Sequence, residues 1–369
     1  MNKKIMYIIL FLVLIIISLL CYFNYDKLSE YFSNEEWKIA ETTGSVMLEN
    51  YYSIDGTASN LVVVGNNYMR GYSNVSKENF DESVSLKNAT TCSDGEYCII
   101  GEKDGAKIYM INTNVKVWET EVQGSIHGVT VNKNGYSAII YKQTGYKTLI
   151  KVLSPQGEEI FTSYLASTYA VDVDISNDNK LLAIAEINTE GINATSNIKI
   201  IDINKLEQNE IKSIPLEDNS LVTNIEYTNK NELLVQTDKN IKIIDAEGLH
   251  ELTEAFDKNT YFASIENANK PIVISKNENG LFDVNYQISI FEVNGEETAY
   301  TLEKLPTIIK TQKNSIAVVI ENQIFIVNTN GKLEKRYEVS GSVKDLCFFE
   351  EGHSLAIIYR DRIDFIKNI

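Results

Sequence analysis

From Ile126 to Leu165 the sequence reads IHGVTV, NKNG, YSAIIY, then KTLIKVL, SPQG, EEIFTSYL. From Leu221 to Phe256 it reads LVTNIEY, TNKN, ELLVQT, then NIKIID, AEG, LHELTEAF. Both copies run as an alternating strand, a polar turn, a short apolar strand, a third strand, a second turn and a charged fourth strand. Alternation of apolar and polar residues marks a strand with one buried face, and one such unit cannot bury that face alone. A first strand falls near Val46, Asn88, Ile126, Tyr169, Leu221, Tyr261, Thr307 and Val343, eight units of roughly forty residues, the size of four-stranded propeller blades. The expected fold is therefore all-β, an eight-bladed β-propeller, with seven blades as the alternative if the stretch from Val46 to Lys87 packs irregularly. The last unit, VKDLCFF, HSLAIIY, RIDFIKN, is one strand short. The segment Trp37 to Thr42 is expected to supply it and remove an exposed edge.

Ahead of the repeats lies an uncharged run, Ile5 to Phe23, preceded by Lys3 and Lys4. At about 1.5 Å per residue it reaches about 28 Å, the span of a hydrocarbon core. The lysines place the N-terminus in the cytoplasm and the rest outside. The run exceeds the 7–15 residues of a signal-peptide core and no small-x-small cleavage site follows it. Leu20 is too large to precede a lipid-bearing Cys21. The domain reading is a cytoplasmic N-terminus at 1–4, a transmembrane helix at 5–23, a juxtamembrane stalk at 24–36 and an extracytoplasmic propeller at 37–369.

Lys3 and Lys4 are two of 34 basic residues, so the chain after Phe23 carries 32 basic against 51 acidic residues, a formal charge of -19. Nucleic acid is excluded as a partner on that balance, and direct adhesion to anionic lipid is disfavoured. His127, His250 and His353 sit in three separate units without metal-ligand spacing, and no nucleophile-base set can be assembled. No cofactor is expected. The densest carboxylates are Asp172, Asp174 and Asp178 in YAVDVDISNDNK; alternation sets the first two on one face, which makes them weak candidates for a calcium site. Trp118 reads as a core residue of a fourth strand.

Cys21 falls in the apolar run and Cys347 in VKDLCFF reads as a buried apolar residue. Cys92 and Cys98, in TCSDGEYC, flank a turn around Asp94-Gly95. A three-residue loop puts them on one face and permits a disulfide, whereas a two-residue loop puts them on opposite faces and forbids it.

IYMINTNVKVWETEV from Ile108 to Val122 and IFIVNTNGKLEKRYEV from Ile324 to Val339 resemble the strand-turn-strand repeat of quinoprotein-like and YVTN-like propellers. With one anchor, a short stalk and YYSIDGTASNLVVVGNN opening the propeller, the layout resembles an uncharacterised family of single-pass membrane-anchored β-propeller proteins of low-GC Gram-positive bacteria. The resemblance spans nearly the full chain and carries no catalytic motif. Quinone-cofactor chemistry would need a pocket with an adjacent cysteine pair, and no two cysteines here are closer than Cys92 and Cys98.

Two functions fit these readings. The first is a binding or scaffold module of the cell envelope with a protein partner there; the alternative is an envelope hydrolase or lyase with carboxylates gathered at the propeller channel. A partner would meet the longer second-to-third strand connections, Ile187 to Asn197 and Ser275 to Tyr286, which emerge on one rim, with Leu281, Phe282 and Tyr286 as an apolar tip.

Overall fold

A computed structural model describes residues 38–39, 42–205, 210–266, 270–278, 284–367 and 369. The apolar run Ile5 to Phe23 and the stalk lie outside the described residues. Among the described residues no helix is long and apolar enough to cross a membrane.

The described strands from Gly44 onward form eight antiparallel blades of four strands each. Their innermost strands begin at Tyr51, Thr90, Ser125, Thr168, Val222, Thr260, Ile308 and Asp345. Seven of these lie within two residues of the positions expected from the repeat. The physical pattern within a blade is uniform. Second strands such as Leu61–Gly65 and Ser354–Ile358 are buried along their whole length, because a neighbouring blade covers each face, and they read as continuous apolar runs. Outer strands such as Val115–Glu121 alternate exposed and half-buried residues, since only one of their faces is covered.

The core is not central but divided among the seams. Eight clusters of buried apolar side chains occupy the eight junctions between neighbouring blades, for example Ala138, Ile150 and Val152 of blade 3 against Val173, Leu182 and Ile184 of blade 4. Each fully buried Val, Leu or Ile contributes about 1.5–3 kcal/mol, against about 1 kcal/mol for a typical hydrogen bond. The seams therefore outweigh any single polar tie in stabilising the ring. Trp118 belongs to the seam between blades 2 and 3, half-buried, its indole N–H donating to Pro155 O at 3.0 Å.

The ring closes by the expected device but with a different strand. Gly44–Met47, not Trp37 to Thr42, pairs with Arg362–Lys367 as the fourth strand of blade 8, in the register Gly44↔Phe365 to Met47↔Arg362. Val46 then packs against the seam between blades 8 and 1. Blade 1 consequently starts at Tyr51, so Val46 is not its first strand. Gly44 has no room for a side chain, since a Cβ there would stand 2.2 Å from Ser76 Oγ. Lys38–Ile39 is a two-residue strand, and Trp37, Ala40 and Glu41 lie outside the described residues.

Blade 2 settles the cysteines. Cys92 pairs with Ile99, Ser93 with Cys98 and Asp94 with Tyr97, leaving a two-residue loop. Cys92 and Cys98 therefore face opposite sides of the sheet and are free thiols. Cys92 looks toward Thr130 of blade 3 and Cys98 lies in the seam with blade 1. No disulfide joins them.

Candidate functional site

Antiparallel order puts the first-to-second and third-to-fourth strand turns of every blade on one face of the propeller, here the turn face. The second-to-third connections and the links between blades emerge on the opposite face, here the hairpin face.

The turn face is laced shut. The first turns of blades 3, 4 and 5 are NKNG, SNDN and TNKN, each closed by a hydrogen bond from its fourth to its first residue. That fourth residue has positive φ at Gly135, Asn179 and Asn231, a conformation that glycine and asparagine tolerate best. The amides then tie blade to blade. Asn132 Nδ2 donates to Asn179 Oδ1 at 2.7 Å and Asn134 Nδ2 to Asn177 O at 2.9 Å. Asn177 in turn donates from Nδ2 to Thr228 O at 2.9 Å and from its backbone N–H to Asn231 Oδ1 at 2.8 Å. Similar ties link blades 8 and 1 through Glu350 N and Thr57 O, 2.9 Å apart.

The hairpin face is built differently. In blades 1, 3, 4, 5 and 6 the innermost strand carries one extra residue close to its start, a β-bulge at Tyr52, His127, Val171, Thr223 and Tyr261. All five are exposed. A bulge leaves its extra residue unpaired and re-aims its side chain, and bulges concentrate next to functional sites. These five side chains ring the hairpin-face end of the innermost strands. Among the described residues, every exposed tyrosine lies on this face: Tyr52, Tyr146, Tyr164, Tyr169 and Tyr261. Tyr146 and Tyr164 lean together with ring centroids 5.1 Å apart, and the Lys147 ammonium stands 5.1 Å from the Tyr169 ring. Away from it the exposed large apolar residues, among the described residues, are Val75, Val115, Val117 and Ile211.

The expected hairpin extension of blade 4 is present. Its strands run as a register from Leu181↔Asp202 to Asn188↔Thr195, and Ile192 at the tip is fully exposed. Leu281 and Phe282 in the blade 6 hairpin lie outside the described residues. Tyr286 is not at a tip; it sits half-buried in the strand Val284–Phe291, its ring edge-on to Tyr261 at 5.7 Å.

Between the faces, the innermost strands bring six carboxylates, Asp55, Asp94, Asp172, Asp174, Glu226 and Asp345, and one lysine, Lys310, 3.4 Å from Asp345. An innermost strand pairs on one side only, so N–H groups on its free edge need other acceptors. Asp172 and Asp174 supply them. Asp172 Oδ2 accepts from Ile225 N at 2.9 Å and Asp174 Oδ2 from Tyr227 N at 2.6 Å, across the seam in blade 5. Their Oδ1 atoms accept from Val173 N and Ile175 N. Burial pushes Asp172 up to about 6 and Asp174 up to about 7, against the lowering effect of those N–H groups. Asp178 stands apart on the turn, accepting from Ser176 Oγ at 2.7 Å and paired with Lys180 at 3.2 Å. The three do not converge, and among the described residues no three His, Cys, Asp or Glu side chains are grouped to hold a metal.

Two clefts of about 430 Å³ each flank the link Leu216–Leu221 between blades 4 and 5. Neither was expected from the sequence. Blade 5's short outer strand, Leu249–Glu251, lines the first, while strands of blade 4 and the link line the second.

This architecture defines an eight-bladed β-propeller, and solved structures resemble it in fold. BamB from Moraxella catarrhalis matches with a TM-score of 0.55 and 14% identity over 89% of this chain and 100% of that one. The C-terminal WD40 domain of Sif2 matches with a TM-score of 0.61 and 13% identity over 90% and 99%. Kluyveromyces lactis Hsv2p matches with a TM-score of 0.50 and 9% identity over 79% and 100%. At such identities the likeness is one of fold. No curated protein matches the chain. Residues 25–367 match the family of unknown function DUF5711, and the chain belongs to that family.

Proposed function

We propose that this chain is a binding and scaffold module of the cell envelope, anchored by a membrane-spanning segment at Ile5 to Phe23 and engaging a protein partner through its hairpin face. The observation that carries the reading is the recurrence of the bulge. Five of eight innermost strands spend a residue at the same place to present a side chain to solvent. Tyrosine suits a protein interface because it combines a large apolar ring with a polar tip at low entropic cost. The uncharged run and the two lysines before it support the anchor and an extracytoplasmic propeller.

The alternative hydrolase or lyase would draw on Asp174, whose raised pKa suits a general acid. Both of its oxygens already accept backbone N–H groups, which favours the binding reading. Crosslinking the tagged full chain in intact membranes tests the choice: one stoichiometric protein partner is expected, and turnover of a wall glycan or peptide without a partner would overturn it. Protease added to wall-stripped cells should remove the propeller and leave the anchor; full protection contradicts the topology.

A further inference from the structure

We infer that the cleft between blades 4 and 5 receives an arginine or lysine side chain from an extended segment of the protein partner; this rests on the binding function proposed above. The cleft has two layers of chemistry. Its apolar part is Ile214, Pro215, Leu216 and Leu249; its charged part is Glu217, Asp218 and Glu251 with Lys242. Lys242 is almost fully buried and already spent, with Asp218 Oδ2 at 3.0 Å and Glu251 Oε1 at 3.2 Å. Asp218 is ionised throughout the physiological range: burial raises its pKa, but hydrogen bonds from Ser220 and Lys242 hold it down to about 2. Three lining carboxylates face Lys242 inside the cleft and Lys239, whose ammonium reaches Asp218 O at 2.6 Å, at its edge, which leaves one negative charge uncompensated.

A long cationic side chain answers both layers, because its aliphatic stem can cover Ile214 and Leu249 while its charged head meets Glu217 and Glu251. An anion would be repelled, and a purely apolar side chain would strip water from the carboxylates without replacing it.

The cleft is also preformed. Its dividing link is pinned from both sides: Leu216 N donates to Ser196 O at 3.0 Å, Val222 N to Ser196 Oγ at 3.0 Å, Leu221 N to Asp238 Oδ1 at 2.7 Å, and Lys239 Nζ to Asp218 O at 2.6 Å. Little ordering is left for binding to impose. The second cleft, across the link, is lined by polar groups such as Thr168, Asn188 and Asn197 together with the carboxylates Glu186 and Glu217, so it too is acidic.

The test titrates the full chain, in neutral detergent, against a fluorescein-labelled peptide of glycine and serine around one arginine, and against its citrulline counterpart, by anisotropy. The arginine peptide should bind about ten-fold more tightly. The double variant Glu217→Gln, Glu251→Gln should erase that preference, while Glu119→Gln, Glu121→Gln on blade 2, an equal change of charge, should keep it. If the first variant melts early, Glu217→Gln alone at its exposed position carries the same expectation. Equal losses in both pairs, or no preference for arginine over citrulline, overturn the inference. Partner capture that survives such a failure leaves the binding function standing without the basic segment.

Discussion

The two faces of this propeller are made of the same repeated unit and do opposite things. On the turn face the first turns of blades 3, 4 and 5 are tight, and their asparagines tie one blade to the next. On the hairpin face each blade ends in a bulge, a link or a hairpin, and the exposed tyrosines gather there. The seams hold the ring, so neither face is required to be featureless. What separates them is that asparagine ties between blades cover part of the turn face, whereas exposed bulge residues and tyrosines mark the hairpin face.

The contrast breaks most directly at Gly56, at the turn-face end of blade 1's innermost strand. A Cβ there would stand 1.8 Å from Phe348 O, a backbone atom that cannot turn away. Gly56→Val should therefore cost about 3 kcal/mol in chemical denaturation, the upper range for overpacking. A wild-type midpoint would show that blades 8 and 1 are not in this contact. Asn177→Ala removes one inter-blade amide bond and should cost about 1–2 kcal/mol.

Between the faces the effect becomes one of pH. The folded pKa values of Asp172 and Asp174 are raised, so each carboxylate destabilises the fold when ionised. Stability should rise as pH falls through about 7 and 6 toward the unfolded value near 4. Carboxylates held low, such as Asp218, stay ionised in both states over that window and contribute no slope. The melting temperature should thus be higher at pH 5 than at pH 8 by about 2 °C or more. Asp172→Asn with Asp174→Asn should flatten that difference; an unchanged slope assigns it to other groups. The smallest effect belongs to the hairpin face. Replacing residues 189–194 by Asn-Gly should shift stability by less than about 0.5 kcal/mol, and a larger loss would mean that this hairpin supports the fold.

Much of this architecture can be read from the residues. Period-two alternation and turn residues at fixed spacing locate seven innermost strands, because both are local properties of the chain. The misplaced one shows the boundary. GSVM alternates as well as any first strand, and only its pairing with Arg362–Lys367, more than three hundred residues away, makes it an outer strand. The cysteines teach the same point: the choice of a two-residue loop in DGE is a property of backbone register. Alternation correctly puts Asp172 and Asp174 on one face, but their partners are backbone N–H groups of the next blade, which no side-chain pattern announces. The tyrosines were nearer to hand, since Tyr52, Tyr169 and Tyr261 recur within the first two residues of their strands. For Tyr52 and Tyr261 that position reads as an ordinary strand residue until the bulge is seen.

The central claim is that the hairpin face is the one that binds. Its most direct test compares partner capture from crosslinked membranes by two full-length variants: Tyr169→Ser with Ile192→Ser on the hairpin face, and Val115→Ser with Ile211→Ser away from it. All four residues are exposed, so both variants should melt with the wild type. Capture should fall about ten-fold for the first pair and stay unchanged for the second. Equal capture by both, or loss confined to the second, would contradict the assignment.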